Sequence, residues 1–186
     1  MQNQYIDLRH LRFLLEEVFE IQHLQRYDYY QDYDLEAIRM SLQAAKEIAD
    51  QYLYPSYTEM DRQKAYYAEG EVHVLPAVGE AMRALGEGGW IAATDDYEQG
   101  GGQMPVSLLS AAQSIFYAAN SNAASYAFLT QGAANLIRAF GSEELQNTYI
   151  KPMYAGTWQG TMALTEPQAG SSLSDLTTSA SPLPDG

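Results

Sequence analysis

The chain has 186 residues, 46% of them hydrophobic, which is enough to build the core of one ordinary domain with an appendage. Its formal net charge of −14, from 24 acidic and 10 basic residues, argues against a nucleic-acid groove, because phosphate binding needs clustered lysine and arginine. The absence of cysteine excludes disulfides, thiol catalysis and thiolate metal sites.

The three histidines do not indicate a metal centre. His10, His23 and His73 stand far apart and lack the close helical spacing that places two imidazoles on one ion. No apolar stretch reaches the roughly twenty residues needed to cross a bilayer, and Asp7 and Arg9 interrupt the N-terminus where a signal peptide is apolar. We therefore expect no metal site, no membrane span and, by default, a cytoplasmic protein.

Apolar periodicity predicts three helices in the first half of the chain. Residues 8–20 carry apolar side chains at spacings of three, four and seven, and the tyrosine-rich and acidic segment 27–34 is typical of a surface linker. Asp34 is placed to cap a second helix, which runs from Leu35 until Pro55 stops it. Residues 56–72 predict an irregular connection, and a third helical stripe covers 74–85.

The second half predicts a change from helix to strand. Residues 106–140 favour two buried helices with a break near Asn120, and Ser142 is placed to cap a helix over about 143–154. The segment TWQGTMALT, 157–165, alternates in the manner of a β-strand. The predicted fold class is mainly α, with the beginning of a β-domain near residue 157.

The stretch MALTEPQAGS, 162–171, is the most informative part of the chain. Its apolar run breaks at Thr-Glu-Pro and opens into a turn of small residues, in which Gly170 allows a ligand to approach the backbone closely. A strand followed by a sharp turn with exposed amides and hydroxyls is typical of a cofactor-binding edge. The other glycine cluster, Gly100–Gly102, lacks the Lys-Ser/Thr of a phosphate loop and the spaced glycines of a dinucleotide fold.

The order of these pieces resembles the acyl-CoA dehydrogenases, flavoproteins with a helical N-terminal domain, a middle β-domain and a C-terminal helical bundle. Gly89-Trp90 with the later YEQGGGQMP resembles the family's acidic, glycine-rich loop, and LTEPQAGSS resembles its flavin loop, usually T-E-P-x-x-G-S-D. DLRHLRFLLEEVFE resembles the extension of the branch with 3-methylmercaptopropionyl-CoA dehydrogenase-like proteins. The resemblance implies three parts: an extension over 1–33, the helical domain over 34–156, and an incomplete β-domain over 157–186.

The same resemblance implies contacts with FAD, residue by residue. Thr165 would offer its hydroxyl and amide to the isoalloxazine edge, and Gly170 would allow close approach. Ser171 would bond the pyrophosphate region of the cofactor or the thioester side of the substrate, and Ser172 stands where the family usually has an aspartate. The backbone expected to run along the flavin belongs to Met162, Ala163 and Leu164.

The family's reaction implies parts that this sequence does not match. The complete enzyme would oxidise an acyl-CoA at Cα–Cβ with hydride transfer to the flavin, use a separate electron acceptor and assemble as a homo-oligomer. Its catalytic base is a glutamate of the C-terminal helical domain, so we assign no catalytic residue here and expect an inactive fragment with weak or absent FAD binding. Glu166 has two interpretations, a base or a residue that shapes the turn by local hydrogen bonds, and the second is favoured.

An alternative from another class is a non-catalytic helical interaction module derived from the same fold. The ending Pro-Asp-Gly resembles a hairpin turn without a return strand, and this favours the fragment. Trp90 and Trp158 are expected to be packing residues rather than flavin-stacking partners. The loop at 100–102 remains open between a border of the substrate entrance and a plain surface loop.

Overall fold

The computed structural model describes residues 5–181 and 183 and is mainly helical. The predicted turn over 182–186 lies outside the described residues, apart from Leu183. One short antiparallel hairpin joins strands β1 (Tyr66–Ala68) and β2 (Glu71–His73). The helices are α1 (Leu8–Phe13), α2 (Leu35–Ile48), α3 (Tyr57–Arg62), α4 (Pro76–Glu87), α5 (Val106–Phe140) and α6 (Glu143–Tyr154).

The N-terminal helix is confirmed over most of its predicted length. The Asp7 side chain accepts a hydrogen bond from the Arg9 amide at 2.9 Å and so caps α1. A wider π turn over Leu14–Val18 continues the helix, and Glu20 ends it with a left-handed φ of 48°. Leu15 is buried in the common core, which joins the extension to the helical domain.

The second helix begins at the predicted residue, and its helical run continues beyond α2 through a π turn to Leu53. Asp34 accepts a hydrogen bond from the Ala37 amide at 2.7 Å, which confirms the predicted cap. After α2 a π turn over Ala49–Leu53 widens the last helical turn, and Pro55 lies in a short 3₁₀ turn that follows. The helical run thus reaches proline, which cannot donate the next backbone bond.

The prediction of an irregular connection over 56–72 is wrong. This segment folds into α3 and the hairpin, whose register pairs Tyr66 with His73 and Ala68 with Glu71. Glu69 (φ 53°) and Gly70 (φ 86°) both take left-handed backbone angles, as a two-residue hairpin turn requires. The sequence does contain a signal for this hairpin, because tyrosines precede and valines follow a Glu-Gly pair.

The long helix α5 is divided where the sequence predicts a break. Asn120 has extended backbone angles (φ −164°, ψ 95°) inside the helix and is fully buried. Its side-chain oxygen caps the second half by accepting from the Ala123 amide at 3.1 Å, and its amide donates to the Leu53 carbonyl at 3.1 Å and the Ser56 hydroxyl at 3.2 Å. One buried asparagine therefore ends one helical half, starts the next and ties both to the two turns that follow α2.

The core lies on α5, against which α2, α4 and α6 pack. Helix α4 begins at Pro76, two residues later than predicted, since proline favours the first helical position. The buried Trp90 lies edge-on to Phe116 at 5.2 Å between ring centroids, which confirms it as a packing residue. The largest fully buried apolar side chains are Ile38, Leu42, Leu53, Val78, Met82, Leu85, Ile91, Leu108, Ile115 and Phe116.

The last helix matches its prediction, but the strand after it does not. Ser142 accepts from the Leu145 amide at 3.3 Å and caps α6, which spans Glu143–Tyr154. Residues 157–165 form no strand, so the prediction of β structure there is wrong for the described residues. Ladder hydrogen bonds need a neighbouring strand, and the described residues offer 157–165 none. The helical part of the predicted fold class is confirmed.

In the part of the chain that the structure describes, no helix is long and apolar enough to cross a membrane. The same residues contain no cluster of three or more histidine and carboxylate side chains arranged to hold a metal ion.

Replacing Asn120 with alanine is expected to lower the free energy of unfolding by about 2 kcal/mol, because it removes a helix cap and two further buried hydrogen bonds. Urea denaturation measures this value. The matched control is Asn122→Ala, since Asn122 is exposed two residues away and should change stability by less than about 0.5 kcal/mol. Equal effects of the two substitutions would contradict the role given to Asn120.

Candidate functional site

The segment 155–171 is held against the helical bundle by close backbone contacts at glycines. Gly156 has φ 69°, and a Cβ there would overlap the Met82 carbonyl of α4. A Cβ at Gly86 would lie 2.5 Å from the Ala155 carbonyl oxygen. The end of α6 therefore docks on α4 backbone to backbone, at a distance that no side chain would permit.

A second close approach fixes the segment on α5. The Gly160 amide donates to the Thr130 hydroxyl at 3.1 Å, and Thr130 is fully buried. That hydroxyl in turn donates to the Tyr126 carbonyl at 2.7 Å, which orients its free lone pair. A Cβ at Gly160 would overlap the Ala133 methyl group. The path of residues 157–164 is thus set by α5.

The residues expected to run along the flavin lie on the surface. Met162 is 63% exposed, Leu164 is 40% exposed, and Ala163 between them is also exposed. Trp158, half exposed, contacts Tyr149 of α6 at 5.6 Å between ring centroids. The structure therefore presents this run on the outside of the bundle, where a ligand or another part of a protein can reach it.

The turn after this run is closed at its base. Glu166 and Ala169 exchange two backbone hydrogen bonds of 2.9 and 3.2 Å, which close a two-residue turn at Pro167 and Gln168. Ala169 is buried, whereas Gly170 is exposed. The turn predicted from the Thr-Glu-Pro break is confirmed.

Gly170 does not owe its presence to backbone strain, because its φ is not positive. The protein atom nearest to a Cβ at Gly170 would be the Thr165 methyl carbon at 3.7 Å, an ordinary contact. Neither the Thr165 nor the Ser171 hydroxyl makes a hydrogen bond within residues 5–181. The turn therefore offers two free hydroxyls and open space beside a glycine.

Glu166 organises the segment that follows the turn. Its carboxylate accepts from the backbone amides of Thr177 (2.9 Å) and Thr178 (2.7 Å) and from both threonine hydroxyls. Gln168 adds a further donor at 2.5 Å. These bonds, led by the one from the Thr178 hydroxyl, lower the pKa of Glu166 to about 2. Glu166 is a turn-shaping residue, as the favoured interpretation of the sequence had it.

The glycine loop, residues 95–103, is anchored by a partly buried ionic network. The Asp95 side chain is 4% exposed and pairs with the Arg138 guanidinium of α5 at 2.5 Å. The Tyr154 hydroxyl of α6 donates to the same carboxylate and accepts from Arg138 at 3.1 Å. Burial and this bond to Asp95 raise the pKa of Tyr154. The network fixes one side of a cleft of about 670 Å³ between the glycine loop and α6. The residues that line this cleft include Glu98, Gly100, Asn147 and Lys151.

The long-range partners of Gly160 and of the glycine loop could not be predicted from the sequence. Thr130, Asp95 and Arg138 lie in separate segments, and no local pattern links them. Gly160 carried a usable signal, because an isolated glycine inside a strand-like run often marks a close backbone approach.

Replacing Glu166 with glutamine is expected to speed amide hydrogen exchange at Thr177 and Thr178, because one of the two acceptor oxygens becomes an amide group. Global stability should stay the same, since the site is exposed. Exchange measured by NMR checks this, with Asp175→Asn in the same loop as the control. Unchanged exchange at both threonines would contradict the role of Glu166.

The pH dependence of this loop follows from the lowered pKa of Glu166. A carboxyl group whose pKa falls from 4.5 to about 2 on folding stabilises the loop fully above pH 4.5, and this contribution is lost as the pH falls through 2. The amide resonances of Thr177 and Thr178 should therefore titrate with a midpoint near 2. A midpoint near 4.5 would show that the carboxylate is free.

The model of the acyl-CoA dehydrogenase N-terminal domain matches residues 36–157. The 3-methylmercaptopropionyl-CoA dehydrogenase of Ruegeria pomeroyi is 28% identical over 96% of this chain and 30% of its own length. A butyryl-CoA dehydrogenase of Syntrophomonas wolfei is also 28% identical, over 97% of this chain and 30% of its own.

Among solved structures, the butyryl-CoA dehydrogenase from Megasphaera elsdenii matches with a TM-score of 0.58 and 26% identity. The match covers 82% of this chain and 36% of that protein. The chain thus spans about a third of the length of the relatives it matches. The family model, both relatives and the shared helical architecture agree, and the chain belongs to the acyl-CoA dehydrogenase family.

Proposed function

We propose that this chain is the N-terminal part of a flavin-dependent acyl-CoA dehydrogenase and that residues 162–171 form one wall of its flavin site. The observation that carries the proposal is the exposed turn with free Thr165 and Ser171 hydroxyls and open space beside Gly170. The family is FAD-dependent, and these groups fit a flat, polar-edged cofactor.

The residues that would hold FAD are those that the turn presents together. Thr165 would donate its hydroxyl and amide to the ring edge, and Ser171 would bond the pyrophosphate or the thioester side of the substrate. The backbone of Met162, Ala163 and Leu164 would lie along the ring. When bound, FAD supplies the hydride acceptor for α,β-dehydrogenation of an acyl-CoA thioester.

Glu166 is a poor candidate for the base of this reaction. A general base works best with a pKa near the working pH, whereas the threonine donors hold the pKa of Glu166 at about 2. Its oxygens are also committed to the loop. We assign the base to a part of the longer enzyme outside these 186 residues, so the chain alone should not oxidise an acyl-CoA.

Exposed apolar side chains on α5 support a covered surface in the longer enzyme. Leu136 is 62% exposed and Phe140 is 84% exposed, four residues apart on one helix face. Side chains of this size on one face are typical of an interface. The acyl-CoA, an electron acceptor and a second subunit are the partners we propose for the complete protein. The alternative, a non-catalytic interaction module, would use the same face without FAD.

An absorbance spectrum and an FAD titration of the purified chain test this proposal. We expect weak or no FAD binding and no acyl-CoA oxidation from residues 1–186, and stoichiometric flavin in the product of a reading frame that continues past Gly186. In that longer product, Thr165→Ala should weaken FAD binding about fivefold to tenfold, while the nearby control Thr161→Ala should not.

Two results would overturn parts of the proposal. Turnover with stoichiometric flavin in the 186-residue chain would show that the base lies within it. A stop codon directly after Gly186, with no flavin bound, would favour the interaction module.

A further inference from the structure

The tyrosine-rich segment Tyr27–Tyr33 contacts the glycine loop through two reciprocal pairs. The Tyr29 hydroxyl donates to Asp96 at 2.5 Å, and the Tyr97 hydroxyl donates to Asp32 at 2.9 Å. Each side thus contributes one tyrosine donor and one aspartate acceptor. This bond to Asp96 raises the pKa of Tyr29 to about 12, and burial with the bond to Asp32 raises the pKa of Tyr97.

Two further bonds reach backbone groups across the same contact. The half-buried Tyr33 donates its hydroxyl to the Gly102 carbonyl. The Gln103 side chain donates to the Tyr29 carbonyl at 2.8 Å and accepts from the Tyr97 amide at 3.3 Å. Four hydrogen bonds therefore join segments that lie more than 60 residues apart in the chain.

The glycine loop needs such contacts to keep one conformation. Gly100 (φ 81°) and Gln103 (φ 48°) are left-handed, and a Cβ at Gly101 would lie 2.5 Å from the Asp95 Cβ. Without contacts from outside it, a loop with three consecutive glycines has many alternative conformations. Fixing it in one conformation costs more conformational entropy than fixing a loop of other residues. Hydrogen bonds from outside the loop offset this cost.

The two sides of the loop have different anchors. The Asp95 network ties its beginning to α5 and α6, whereas Tyr27–Tyr33 binds its outer side. Glu98, Gln99 and Gly100 lie between these anchors and line the cleft of about 670 Å³. The family model matches from residue 36 onward, so the outer anchor belongs to the part of the chain before that match.

We propose that Tyr29, Asp32 and Tyr33 form a clasp that holds the glycine loop in one conformation and sets the width of the cleft between this loop and α6. The clasp gives the N-terminal extension a mechanical role. This inference does not depend on FAD binding, because every contact that carries it lies within the described helical domain and extension.

Hydrogen exchange at the loop amides tests the clasp. Tyr29→Phe and Tyr97→Phe each remove one hydroxyl without changing ring size, and each should speed exchange of the 97–102 amides about fivefold, the effect of one net hydrogen bond. Tyr27→Phe is the matched control, since its hydroxyl contacts only Arg26 and no loop residue among the described ones. Asp96→Asn keeps an acceptor oxygen for the Tyr29 hydroxyl and should preserve the slow exchange of the loop amides. Asp96→Ala removes this acceptor and should lose that protection.

Cleft width is measured directly with spin labels, which the cysteine-free chain accepts at chosen positions. Glu98 on the loop and Asn147 on α6 both line the cleft, so labels at Glu98→Cys and Asn147→Cys report the distance between its two sides. The distance distribution should broaden when Tyr29→Phe and Tyr97→Phe are combined, while amides of the α5 core keep their exchange rates. An unchanged distance distribution would overturn the proposal. Amide exchange in the α5 core that speeds up as much as exchange in the loop would overturn it too.

Discussion

The placement of the candidate flavin segment depends on backbone approach at three glycines. Gly86 and Gly156 allow the end of α6 to lie directly on α4, and Gly160 allows the next residues to cross α5 at Thr130 and Ala133. Any side chain at these positions would push the segment away from the bundle. The segment therefore follows the helices closely, although the described residues offer it no strand with which to pair.

The bundle that receives this segment combines an apolar core with two buried polar centres. Asn120 joins the halves of α5 to the π turn that follows α2, and Asp95 joins the glycine loop to Arg138 and Tyr154. Each centre satisfies its polar groups by contacts between distant parts of the chain, as buried polar groups require. Their directional bonds add specific geometry to an apolar core, which alone constrains orientation less. The glycine loop and the candidate flavin segment take their positions from this framework.

Local chemistry made much of the fold predictable. The caps at Asp34 and Ser142, and the cap that Asn120 gives the second half of α5, depend on partners within three residues, and each was visible as a residue type at a suitable position. The turn at Glu166 was also predictable because proline and the small residues restrict it locally. Distant partners were not predictable in this way. Tyr29 and Asp96 lie 67 residues apart, and no local pattern in either segment predicts that the two side chains pair.

The strand prediction failed for a related reason. The alternation of apolar and polar residues over 157–165 indicates which side chains could lie on one face of a sheet. A strand forms only when a neighbouring strand supplies its backbone hydrogen-bond partners. The same alternation leaves Met162 and Leu164 exposed on the bundle. The resemblance to the family predicted the architecture where single residues could not. It depended on the turn, the glycine loop and the extension occurring in the family's order along the chain.

Hydrogen exchange of the Gly160 amide tests most directly whether α5 holds the candidate flavin segment in place. If the Gly160–Thr130 bond forms as described, this amide exchanges slowly in the intact chain, and Thr130→Val, which keeps the side-chain shape but removes the acceptor, abolishes the protection. Exchange of the Gly160 amide in the unaltered chain at the rate of an unstructured peptide would contradict the account.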